Sequence, residues 1–88
     1  MSGTMTGPTA AEAAEAAAEI GLVMLDAEAA VFVAAEELSR RYVAGERDLD
    51  RDLSRLALQV AWLRDVRGDH NAALDRMVAA AAHEEAGR

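Results

Sequence analysis

The stretch IGLVMLDAEAAVFVAA, residues 20–35, carries only two charged side chains, Asp26 and Glu28. It reads as helix, with Gly21 inside it at a cost of about 1 kcal/mol relative to alanine. A surface helix shows one apolar stripe against a polar face. This one is apolar on nearly every side, and something must cover it. A membrane does not fit: spanning needs roughly 20 apolar residues, and a central carboxylate costs about 2.5–3.5 kcal/mol on insertion scales.

Working toward the N-terminus, TAAE (Thr9 to Glu12) has the pattern of a capping box, with Thr9 as N-cap and Glu12 at the third helical position. Glu12, Glu15 and Glu19 place negative charge in the early turns, as the helix dipole favours. Met1 to Pro8 mixes Gly, Ser, Thr and Pro, so residues 1–8 read as a flexible tail before one helical domain over 9–86. The tail has no basic region of the kind that opens a signal peptide, so a cytoplasmic protein is expected.

Working toward the C-terminus, nothing stops the helix before Gly45. Taken to Val43 it is on the order of 50 Å long at 1.5 Å per residue. Ala13, Ala17, Ile20, Met24, Ala27, Val31, Ala34 and Leu38 alternate in steps of four and three, the seam of a coiled-coil-like pairing. Glu36 with Arg40 and Glu37 with Arg41 are spaced as supporting ion pairs.

The link AGERD (Ala44 to Asp48) is short, so the next helix returns antiparallel, with Asp caps expected near Asp48 to Asp50. Its seam is read at Leu49, Leu53, Leu56, Val60, Leu63, Arg67, His70, Leu74, Met77 and Ala81. Gly68-Asp69 leaves two readings: a break that makes three helices, or an unbroken phase that makes two long arms. The preserved phase favours the hairpin, with a disturbance at Gly68 and fraying at HEEAGR. The expected fold is all-α: an antiparallel helical hairpin assembling into a bundle. In that fold Arg67 falls near Asp26 as a structural pair, and His70 falls opposite Leu22 or Val23.

The 88 residues are 52% hydrophobic but only 3% aromatic, with a formal net charge of -7. Such a charge argues against direct nucleic-acid binding and against an anionic membrane surface. All nine basic residues are arginine, so lysine chemistry is excluded; with no cysteine, thiol nucleophiles and thiolate metal sites are excluded too. Abundant Ala and Arg without Lys suits a high-GC bacterial or phage genome. His70 beside Asp69, and the cluster His83 to Glu85, lack the convergent groups of a metal or acid–base site. No catalytic, metal or cofactor-binding residue is assigned, and no cofactor is expected.

The seam leaves Leu22, Leu25, Ala29 and Phe32 on a second face of the first helix, and Leu58 and Trp62 away from the seam of the second. Leu22, Leu25, Phe32, Leu58 and Trp62 are therefore the candidate interface residues. The functional expectation is a non-enzymatic helical interaction protein, a homodimer or larger homo-oligomer with a protein partner. The alternative is an acidic inhibitor occupying a basic or nucleic-acid-binding surface, since the chain up to Ala35 has five acids and no base. A small all-helical enzyme ranks third, because the apolar seams promise no polar pocket.

Overall fold

The computed structural model describes residues 7–87. It is a hairpin of two helices, α1 (Ala10–Val43, 34 residues) and α2 (Asp50–Ala86, 37 residues), and no strand occurs among the described residues. α1 begins as its sequence dictates. Thr9 Oγ1 accepts from the Glu12 amide at 3.1 Å, and Glu12 Oε1 accepts from the Thr9 amide at 3.0 Å. α1 ends at Gly45, whose φ of 96° is open to glycine and strained for other residues. There the Gly45 amide donates to Tyr42 O (3.0 Å) and the Glu46 amide to Arg41 O (3.1 Å). These are the two bonds of a Schellman cap, and they turn the chain back within a few residues.

Three expectations need correcting at the ends and middle of the helices. α2 is capped by Leu49, with no side-chain cap bond; Asp50 and Asp52 sit inside the first turn instead, where they complement the dipole. Leu49 is buried against the hairpin, which anchors the loop apolarly rather than by a hydrogen bond. Gly68 neither breaks nor disturbs α2, since helical hydrogen bonding runs through it to Ala86. The tail HEEA continues α2, held by the Ala10 amide donating to Glu84 Oε2 at 2.7 Å. Most of the segment read as a flexible tail, residues 1–6, lies outside the described residues.

The seam of α1 is as read: Ala13, Ala17, Ala27 and Ala34 are buried, and Ile20, Met24, Val31 and Leu38 half-buried. That of α2 differs at every second position. Asp52, Gln59, Val66, Ala73 and Ala80 face α1, where the sequence suggests Leu53, Val60, Arg67, Leu74 and Ala81. Two costs explain the choice of the less apolar row. The expected row would bury the Arg67 guanidinium, and unpaired buried charge is expensive. The observed row buries Asp52 instead, but directly beside Arg41. It also sets small side chains, Val66, Ala73 and Ala80, against the alanines of α1, so the helices can approach closely.

The resulting molecule is a rod, 69 × 16 × 14 Å, with a radius of gyration of 19.7 Å. A compact chain of this length would have a radius near ~12 Å. Its core is thin: besides Leu49 and Val66, the buried apolar residues are alanines, and no large side chain is completely buried among the described residues.

Candidate interaction face

Every second seam residue of α2 is followed by a residue left on one flank: Leu53 after Asp52, Val60 after Gln59, Arg67 after Val66, Leu74 after Ala73. The matching row of α1 is Gly21, Glu28, Ala35 and Tyr42. Arg67 Nη2 lies 3.9 Å from Glu28 Oε2, which fixes these two rows on the same side of the hairpin. The pair expected between Arg67 and Asp26 does not form, because Asp26 points away on the exposed back of α1. Toward the turn this side opens into a shallow apolar groove of about 430 Å³, lined by Ala35, Leu38, Tyr42, Leu49, Leu53 and Leu56 among others. A second hollow shares Leu53 and Leu56 and continues along α2 through Val60 to Arg64.

The end of the groove is braced by charge. Arg41 donates from Nε to Glu46 Oε2 (2.8 Å) and from Nη2 to Glu46 Oε1 (3.2 Å), and its Nη1 lies 2.8 Å from Asp52 Oδ2. That last contact is ionic, since Asp52 Oδ2 accepts no aligned hydrogen bond. The hydrogen bond to Glu46, followed by the charge of Asp52, pushes the Arg41 guanidinium further above its usual range. The same hydrogen bond holds the Glu46 carboxyl below its ordinary value. Arg47 stacks over the Tyr42 ring at 4.8 Å, a cation–π contact that fixes the ring at the groove mouth. Arg40 pairs with Glu37, three residues back. The expected pairs Glu36–Arg40 and Glu37–Arg41 therefore give way, because Arg41 is drawn across the turn to Glu46 and Asp52.

The five candidate interface residues are all exposed, from 41% at Trp62 to 72% at Leu58. They do not form one patch. Phe32 and Leu25 lie one and two heptads before Ser39, which borders the groove, so they flank its side of the molecule. Leu22 lies further round the back of α1. Trp62 immediately precedes the seam residue Leu63, on the opposite flank of α2 from Val60, and Leu58 lies beyond it. The hairpin thus has two apolar sides, one built on Tyr42, Leu53 and Val60 and one on Trp62 and Leu58. Sequence reasoning placed Leu53 and Val60 in the seam and assigned nothing to Tyr42; the structure leaves all three exposed on this side. Compared with known protein families, curated proteins and solved structures, the chain matches none.

His70 packs against α1. His70 sits within 3.3 Å of where a Cβ on Gly21 would stand, so the missing side chain of Gly21 is what admits the imidazole, one residue from the expected Leu22. Among the described residues no group of three or more His, Asp or Glu is placed to hold a metal, and no helix is long and apolar enough to cross a membrane. What this surface offers chemically is apolar burial at two sides, with one accessible ion pair in the middle of the first.

Proposed function

We propose that this chain is a non-enzymatic helical interaction protein. It self-associates into a homodimer or larger bundle and offers its remaining apolar side to a protein partner, acting in the cytoplasm as an adaptor, regulator or assembly component. What carries this reading is the exposure of Leu22, Leu25, Phe32, Leu58 and Trp62 over a core made mostly of alanine. Each such side chain forgoes about 1.5–3 kcal/mol while it faces water. With no cysteine, and no metal set among the described residues to staple it, a hairpin this thin is stabilised by association. Two apolar sides also suit two occupants. Light scattering of the full chain at micromolar concentration should give a mass above the monomer, with Phe32→Asp and Trp62→Asp probing the two sides separately. A well-folded monomer whose stability neither substitution alters would end this reading.

A second reading, an acidic inhibitor of a basic surface, has one observation in its favour. The antiparallel return brings Glu84 and Glu85 to the same end as Glu12, Glu15 and Glu19, and Glu84 caps α1 there. Reversing the charge of Glu15 and Glu19 should abolish target binding if this end is the recognition surface, and leave it intact if the apolar sides are.

A further inference from the structure

We propose that a second copy of this chain docks on the Tyr42–Leu53–Val60 side, with both turns at the same end and α1 of each copy lying on α2 of the other. The proposal rests on the self-association reading above and assigns it a side, a geometry and a pair of charges.

The two rows on this side are unequal in a complementary way. Level with Val60 of α2 stands Ala35 of α1; level with Leu74 stands Gly21; level with Arg67 stands Glu28. At these three levels large faces small and positive faces negative, while at the turn end Leu53 stands level with Tyr42, large beside large. A two-fold axis parallel to the rod carries each copy's α2 row onto the partner's α1 row at the same level. Val60 then meets the partner's Ala35, Leu74 the partner's Gly21, and Arg67 the partner's Glu28. The contact within one chain leaves room for this: the two groups are 3.9 Å apart, with side chains 59% and 44% exposed, so both keep bonding capacity for a partner. The other two-fold, running across the rod, stacks α1 on α1. Centred on this row, it sets Glu28 against Glu28 and Arg67 against Arg67.

Area favours the same occupant. A stable interface removes about 800 Å² per partner, and a side of 69 by 16 Å exceeds that as a flat footprint. The chain exposes 6432 Å², where a compact monomer of its mass would expose about 5,000 Å². A second rod of equal length covers such a side from end to end.

The test is sedimentation equilibrium on the full-length chain. Arg67→Glu and Glu28→Arg should each weaken the dimer about tenfold or more while leaving helix content unchanged by circular dichroism. An equimolar mixture of the two variants should regain the wild-type constant. One chain then carries two carboxylates at this row and the other two guanidiniums, so opposite charges meet only between chains. Trp62→Asp, on the other side, should leave the constant unchanged. The chain has no cysteine, so Asp48→Cys gives a single spin-label site near the turn; a short label-to-label distance is expected, and one approaching the length of the rod overturns the geometry. A wild-type dimer indifferent to both charge reversals, or a mixture that fails to recover, also overturns this docking while leaving self-association standing. A wild-type monomer overturns both.

Discussion

At the scale of single residues, the ends of α1 are held by local bonds, and a carboxyl at each end responds to pH. The backbone and side-chain hydrogen bonds of Thr9 hold the Glu12 carboxyl below its ordinary value of 4.5. Glu46 is lowered likewise by Arg41. A carboxyl lowered on folding releases its proton more readily in the native chain than in the unfolded one. Its contribution is therefore complete above the unfolded value and is lost as pH falls through the folded value. Thermal unfolding should show stability constant from pH 7 to about 5 and declining below about 4.5. Glu12→Gln should flatten part of that decline. An unchanged acid limb in this variant would remove the capping box as its source. Gly21 and Gly45 are the glycines with a stated task, one admitting His70 and the other closing the turn.

At the scale of elements, α2 settles what Gly68 does. A Cβ there meets nothing within 4 Å, and α2 runs unbroken through the position. Gly68→Ala should therefore raise stability by about 1 kcal/mol, read from denaturant unfolding, because alanine gains helix propensity without meeting a neighbour. Destabilisation would instead mean that the chain needs a break at this point. The helices, their ends near Thr9 and Gly45, and the whole α1 seam were legible in the sequence, because capping patterns and 3.5-residue periodicity are local. The cap of α2 was not. Asp48 and Asp50 have the right chemistry for it, but Leu49 is drawn into the hairpin and so becomes the first helical boundary.

At the scale of the whole molecule, length without thickness governs behaviour. A rod of two helices with an alanine core gains little by folding alone, since each alanine buries little area. If the chain self-associates as proposed above, the melting temperature should rise with protein concentration. Val60→Asp, placed on an exposed row, should remove the concentration dependence while leaving dilute samples nearly unaffected. Scanning calorimetry across a hundredfold range of concentration checks this; a wild-type transition that does not move would count against any assembly.

What the sequence determined by itself was everything that depends on neighbours within about one turn or on a repeated interval. That covers two long helices, a tight antiparallel return at Gly45, the Thr9–Glu12 box, and an alanine-rich stripe along α1. The tertiary structure alone decided which of two adjacent rows of α2 would meet that stripe. The rows differ by one residue, and the more apolar of them contains Arg67. Choosing between them sets the burial of Asp52 beside Arg41 against the burial of Arg67, and both partners lie on the other helix. Because cross-helix pairing carries the decision, periodicity could not make it. The same single step left Leu53 and Val60 on the surface beside Tyr42.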